Sequence, residues 1–217
     1  MAEPETHLTQ ITITREGYIA LRLKDQYSLH RIVYDLFDDI RTDLEKNSSV
    51  SANIVWKDAG INNNCRVLFV VTNRAPIPHR HYGIMRVESK IIPEAYISHD
   101  HYRFDLVVNP ITRGGENGRG IMPVKGRENV RLWVRSNSEE RWGFTIRQDT
   151  LDVGGTNVLS FKGKNAQTIT LAQAKITGTL DVIDRIKFRD SFRMGVGRGK
   201  AFGCGMLQAT PIIDTIY

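Results

Sequence analysis

The chain has 217 residues, and its 30 Lys and Arg outnumber 24 Asp and Glu to give a formal net charge of +6. That length allows one large domain or two small ones, and the basic balance favours a polyanionic partner, nucleic acid ahead of an anionic membrane surface. Apolar residues make up 41% of the chain and charged residues 25%, which excludes a disordered basic tail. Cys65 and Cys204 have neither zinc nor thioredoxin spacing, so both are expected to be reduced thiols of a cytosolic protein. The first residues lack the basic and apolar regions of a signal peptide, and no apolar run is long enough to span a bilayer. A cytoplasmic protein with no membrane role is expected.

Leu8, Ile11 and Ile13 among threonines predict a first strand. Asp25 is placed to cap a helix beginning near Tyr27. Leu29, Ile32, Val33, Leu36, Phe37, Ile40 and Leu44 fall on one stripe of that helix, with Asp35, Asp38, Asp39 and Arg41 off it. Residues 51–57 and 65–73 read as strands joined by a Gly-Asn loop over 60–64. A short strand over 84–92 follows the loop 74–83. The pattern then restarts. A strand over 96–109 ends at Asn109-Pro110, and a Gly/Arg-rich loop covers 112–120. Residues 127–144 read as a helix whose core contacts are Val130, Trp133, Val134 and Trp142. A long hairpin pairs 150–161 with 168–183. In its second arm Ala172, Ala174, Ile176, Leu180 and Val182 face one way. A helix over 185–194 leads into a glycine loop, and a strand over 204–210 closes the chain. Two successive α+β units of this size predict a duplicated ferredoxin-like fold. Residues 1–93 would form the first domain and 94–217 the second.

The stretch from Gly195 to Gly205 holds five glycines together with Arg198 and Lys200. Glycine leaves backbone amides uncovered and reaches positive φ freely, so such a loop suits a phosphate backbone. It is neither a Walker A loop nor a dinucleotide fingerprint: Met194 and Ala201 stand where the first needs Gly and Ser or Thr, and Lys200 stands where the second needs Gly. Arg185, Lys187, Arg189, Arg193, Arg198 and Lys200 crowd the last helix and this loop. Lys162 and Lys164 occupy the predicted hairpin tip. Arg113, Arg119, Lys125, Arg127, Arg131 and Arg135 form a third basic cluster, in which the last three repeat along one helix face. Each cluster could be an ordinary solvated surface or a phosphate-binding one.

The run Gly195-Val-Gly-Arg-Gly-Lys-Ala-Phe-Gly-Cys-Gly-Met-Leu207 resembles the glycine loop of the CRISPR repeat-RNA endoribonucleases of the RAMP group. Asp25-Gln-Tyr27-Ser-Leu-His30 resembles the Tyr-x-x-His motif of the CasE branch. Phe104 to Pro110, followed by a basic loop and Met122-Pro123-Val-Lys125, is also similar to that branch. The resemblance runs over nearly the whole chain, except near 57–64 and 74–83. It implies tandem ferredoxin-like domains that cut CRISPR precursor RNA within its repeats without a metal. It further implies retention of the guide stem-loop and membership of a Cascade-like effector complex. On that reading Tyr27 and His30 are catalytic. The RNA-binding set is Arg113, Lys125, Arg127, Arg131, Lys162, Lys164, Arg193, Gly197, Arg198, Gly199 and Lys200. The alternative is a non-catalytic RNA-binding subunit of the same fold.

Metal-free cleavage by an adjacent 2′-OH needs one proton removed, one delivered, and charge stabilised on the phosphorane. Histidine suits proton transfer near neutral pH, and tyrosine suits orienting or donating. Three residues apart, Tyr27 and His30 lie on one side of a helix. Which is base and which is acid stays open at this level. His79, His81, His99 and His101 have no carboxylate or cysteine at metal-site spacing, so neither a metal nor another cofactor is expected.

Overall fold

The structure is a computed structural model and describes residues 5–47, 50–77, 83–114 and 120–213. His79, His81 and Arg119 lie outside the described residues, as do the second half of the loop 74–83 and the tip of the loop 112–120. The first sheet uses β1 (Thr6–Ile13), β2 (Ile54–Asn62), β3 (Cys65–Thr72) and β4 (Met85–Ile92), in the order β2-β3-β1-β4. Every pairing in it is antiparallel. A short helix, α1 (Arg15–Ala20), follows β1 and was not expected; Thr14 caps it by accepting from the Gly17 N–H at 3.0 Å.

Helix α2 (Gln26–Asp35) starts where the Asp25 cap predicts. The Asp25 carboxylate accepts from the Ser28 N–H at 2.9 Å, and the Ser28 hydroxyl accepts from the Asp25 N–H at 3.0 Å. This reciprocal box satisfies donors that a helix start leaves unpaired. The helix ends at Asp35, well short of the stripe expected to run to Leu44. The Leu36 carbonyl accepts from Ile77 N–H across the loop at 2.7 Å. Asp39 bonds the Arg41 backbone and guanidinium at 3.2 and 2.8 Å, a local turn that competes with helical bonding. Ile40 and Leu44 are consequently exposed, while Leu29, Ile32, Val33, Leu36 and Phe37 are buried. Leu44 sits on the separate helix α3 (Asp43–Asn47).

The turn between β2 and β3 is tighter than expected. Asn63 and Asn64, at φ 47° and 64°, make a two-residue connection with the twist that hairpins favour. Gly60 lies within β2, at a bulge opposite Leu68 and Val67.

The second sheet has the order β11-β5-β10-β8, with β9 paired to the other end of β10. Its strands are β5 (His101–Val108), β8 (Phe144–Ile146), β9 (Asp152–Lys162), β10 (Thr168–Val182) and β11 (Gln208–Pro211). A small hairpin, β6 (Ile111–Gly114) with β7 (Gly120–Pro123), emerges after β5. Helix α4 (Arg127–Asn137) connects β5 to β8, and α5 (Arg185–Met194) connects β10 to β11. The expected helix over 127–144 therefore breaks. A π-helical turn, Ser138–Trp142, ends on Gly143 in the left-handed region, and β8 follows. A Cβ at Gly143 would meet the Asp184 carbonyl at 2.5 Å, so only glycine lets the chain turn there. The strand expected from 96 begins at His101, after a 3-10 turn over Glu94–Ile97.

Both sheets carry the ferredoxin-like strand order, so the fold is two tandem ferredoxin-like units with a glycine-rich loop before the last strand. Each unit has its own core. Ile11, Leu29, Val33, Trp56, Leu68 and Val70 belong to the first; Tyr102, Phe104, Leu106, Phe144, Ile176 and Phe188 belong to the second. Ala174, Ile176 and Leu180 are buried on the predicted face of β10, whereas Leu171 packs on its opposite face with Phe161 and Cys204.

The two units meet through a small apolar cluster of Val55, Val71 and Met206 and through polar links. Buried Lys57 of β2 pairs with Asp105 of β5 at 2.6 Å and donates to the Gln208 side chain at 3.1 Å. Arg193 of α5 donates to Thr6 at 3.0 Å and pairs with Glu94 at 2.7 Å. No helix among the described residues is long and apolar enough to cross a membrane.

Candidate functional site

The Asp25 cap fixes the start of α2 and so presents Tyr27 and His30 on one flank of its first turn. Their rings lie 5.8 Å apart at an interplanar angle of 23°. Tyr34, one further turn along, stands 4.1 Å from the His30 ring, and Phe202 of the glycine loop stands 5.5 Å away on another side. Phe202 in turn meets Phe161 of β9 at 4.9 Å. His30 is therefore half-buried in an aromatic setting, and burial lowers its pKa below the usual histidine value while the Ala201 carbonyl partly restores it.

The glycine loop reaches this helix from the far end of the chain. Gly195, Gly197, Gly199, Gly203 and Gly205 all have positive φ, between 67° and 85°, which other residues adopt only with strain. Gly199 and Gly203 bracket a 3-10 turn over Lys200–Phe202. The loop is pinned from several sides. The Gly205 N–H donates to the Val107 carbonyl at 2.7 Å, the Val196 N–H to the Gly205 carbonyl at 2.8 Å, and Arg198 bridges Asn109 beyond the end of β5. Gly197 is exposed, and a Cβ there would meet only the Trp133 ring, at 4.0 Å, so an anion can approach its backbone.

The 3-10 turn aims two carbonyls at the first domain. The Ala201 oxygen accepts from His30 Nδ1–H at 2.9 Å and from Trp56 Nε1–H at 3.0 Å. The Phe202 oxygen accepts from Gln26 Nε2–H at 3.0 Å. A carbonyl only accepts, so the neutral His30 carries its proton on Nδ1 and a lone pair on Nε2. Such an imidazole can take a proton from a nearby hydroxyl. Lys200 sits one residue before the carbonyl that holds His30. It is half-buried, has no carboxylate partner among the described residues, and burial lowers its pKa below the usual lysine range. A phosphate beside it would offset that desolvation.

The structure thus seats the helix of Tyr27 and His30 against the 3-10 turn Lys200–Phe202, with Gly197, Arg198 and Gly199 on the same loop. Arg193 is engaged differently, in the ties to Thr6 and Glu94. The basic row on α4 divides. Arg131 leans on Glu128 at 3.6 Å, Arg135 faces the Gln148 side-chain amide at 2.8 Å, and Arg127 is exposed. Arg113 on β6 and Lys125 before α4 are exposed cations. At the β9–β10 tip Lys162 donates to Thr168 at 2.7 Å, and Lys164 is exposed. His101 pairs with Asp181 at 2.6 Å, beside Arg147. Among the described residues no group of three or more His, Cys, Asp or Glu is placed to hold a metal ion.

Trp56, Gln26 and Tyr34 were not singled out from the sequence. Tyr34 had a usable signal, since it lies four residues after His30 on one helix. Trp56 and Gln26 had none, because their partners lie 145 and 176 residues away.

The fold is shared with solved structures. Thermus thermophilus Cse3, bound to an RNA representing a pre-cleavage complex, superposes with a TM-score of 0.76 at 20% identity; the match covers 95% of this chain and 100% of that one. The CRISPR-associated protein Cas6e of Escherichia coli matches with a TM-score of 0.60 at 16% identity over the same shares. A chain of a CRISPR RNA-guided surveillance complex matches with a TM-score of 0.66 at 17% identity, again over 95% and 100%. No curated protein sequence matches this chain. The sequence model described as CRISPR associated protein matches residues 6–211, nearly the full length, and the chain therefore belongs to the CRISPR-associated protein family.

Proposed function

We propose that this protein is a metal-independent endoribonuclease that cuts CRISPR precursor RNA within its repeats and keeps the resulting guide stem-loop. The observation that carries this reading is the bond from His30 Nδ1–H to the Ala201 carbonyl. It ties a half-buried, neutral imidazole to a phosphate-suited glycine loop. His30 Nε2 takes the proton of the ribose 2′-OH as that oxygen attacks phosphorus. The Tyr27 hydroxyl donates to the leaving 5′-oxygen. Lys200, Arg198 and the exposed amide of Gly197 face the charge that builds on the phosphorane. The products are a 2′,3′-cyclic phosphate and a 5′-OH end. Proteins of the same fold that have been solved with bound RNA and within a surveillance complex support an RNA substrate and a place in such an assembly. We place the boundary between the two units at Pro93.

A direct test incubates the protein with repeat RNA in EDTA and identifies the product ends by mass spectrometry. Cleavage is expected to persist, to leave the cyclic phosphate, and to stop when the scissile nucleotide is 2′-deoxy. Cutting of the deoxy substrate, or loss of activity in EDTA, refutes the mechanism.

The lowered pKa of His30 sets the sign of the pH dependence. A base works in its neutral form, so the single-turnover rate should be flat above the His30 pKa. It should fall about tenfold per unit as pH drops below it, with the midpoint under the ordinary value of about 6.5. A rate that instead falls as pH rises through this range would make His30 an acid.

The hairpin tip and the exposed cations of the second unit would track an A-form stem through its phosphates rather than by base reading. Lys162→Ala combined with Lys164→Ala should weaken stem-loop binding. It should also flatten the log–log salt dependence by about 0.7–0.9 for each phosphate that the variant no longer neutralises, leaving the rate at saturating enzyme unchanged. Binding isotherms across a salt series measure this, and an unchanged slope would reduce the tip to a solvated turn.

A further inference from the structure

Three consecutive residues of β2 grip the C-terminal half of the chain. Val55 packs where a Cβ on Gly195 would come within 2.5 Å of it. Lys57 binds Asp105 and Gln208. Between them, fully buried Trp56 donates its indole N–H to the Ala201 carbonyl at 3.0 Å, the same oxygen that receives His30 Nδ1–H at 2.9 Å. The indole also lies close enough to Gly203 that a Cβ there would stand 3.3 Å from its ring.

Neutral imidazole in water favours the tautomer with its proton on Nε2, so the Nδ1–H form of His30 must be imposed by an acceptor. That acceptor sits on a three-residue turn whose two ends are glycines with φ of 85° and 81°. The Phe202 N–H, in the same peptide plane, donates to the Gly199 carbonyl at 2.8 Å, so the turn is set within itself, while the glycines at its ends let it tilt as a unit against the first domain. A second donor, rigid and fully buried, supplies what the loop lacks. The carbonyl has two lone pairs, so both bonds form without competition for one site.

We propose that Trp56 is a positioning residue: by holding the Ala201 carbonyl through its indole N–H, it fixes His30 in the Nδ1–H form and leaves Nε2 free to accept a proton. This rests on the reading of His30 as the base. Trp56 does not touch the reacting atoms. It acts from the first domain on a loop of the second, so the base is correctly set only while the two units are docked.

Replacing Trp56 with 3-benzothienylalanine keeps the ring shape and removes the N–H, and Trp56→Phe is the genetically encoded companion. In the RNA-free protein, nitrogen and carbon NMR shifts of His30 above its titration range report the tautomer. Single-turnover cleavage and stem-loop binding are measured in parallel. The isostere is expected to mix the two His30 tautomers, to slow cleavage about tenfold, and to leave the RNA dissociation constant within about twofold. A purely structural tryptophan would change thermal stability while leaving the tautomer of the folded protein intact. A folded isostere that keeps the pure Nδ1–H form, or the full rate, overturns the proposal. Normal cleavage by a His30→Ala variant would overturn the parent reading instead. The two failures stay distinguishable, because the tautomer is read without RNA.

Discussion

His30→Ala is expected to cut repeat RNA at least about 10²-fold more slowly than the unaltered protein while binding it with similar affinity. A positioned acid or base contributes roughly 10²–10⁴-fold to a proton-transfer step. The residue removed is the one whose Nε2 lone pair the Ala201 carbonyl leaves exposed to reaction. Binding should survive because the phosphate contacts are assigned to Lys200, Arg198 and the second unit, none of which needs the imidazole. Single-turnover cleavage with a parallel filter-binding assay separates the two effects. Near-normal cleavage would leave an RNA-binding protein of the same fold without a catalytic histidine.

Gly205→Ala should damage both stability and activity. Gly205 has φ of +83°, where an alanine costs roughly 1–2 kcal/mol. The added Cβ would also overlap the Val196 carbonyl oxygen. That oxygen belongs to the residue whose N–H donates to Gly205, so the backbone must shift, at a further cost of about 1–3 kcal/mol. The combined loss of about 2–5 kcal/mol lowers the unfolding midpoint on the order of 10 °C for a chain of this length. The loop that carries Ala201 would move with it, so cleavage should fall even at temperatures where the variant is folded. Calorimetry and single-turnover assays at low temperature check both parts. A variant with an unchanged midpoint would show that the loop yields more easily than its packing implies.

The two effects have one origin. The 3-10 turn over Lys200–Phe202 is both part of the glycine loop and the anchor of His30, so anything that displaces the loop also displaces the imidazole. Burial of Lys57 against Asp105 and the Arg193 ties to Thr6 and Glu94 hold the two units in the arrangement that makes this possible.

By itself the amino-acid sequence determined the features with local causes. The Asp25 cap, the Tyr27–His30 spacing, the alternation along β10 and the bounds of α5 all follow from helical or strand periodicity and from capping chemistry. Those forces act within a few residues, so one stretch of sequence contains them whole. The glycine pattern of 195–205 likewise announced a loop of positive φ. What exceeded local reach was misread or missed. Helix α2 stops at Asp35 because the Leu36 carbonyl bonds Ile77 and Asp39 turns back on Arg41, although the apolar stripe continues to Leu44. The helix over 127–144 gives way to β8 because Gly143 must fit against the start of α5. Only the tertiary structure decided which proton His30 carries. Its partner lies 171 residues away, and Trp56 meets the same carbonyl across 145. A contact of that separation exists only after two independently cored units have docked, and no periodicity in the chain encodes it.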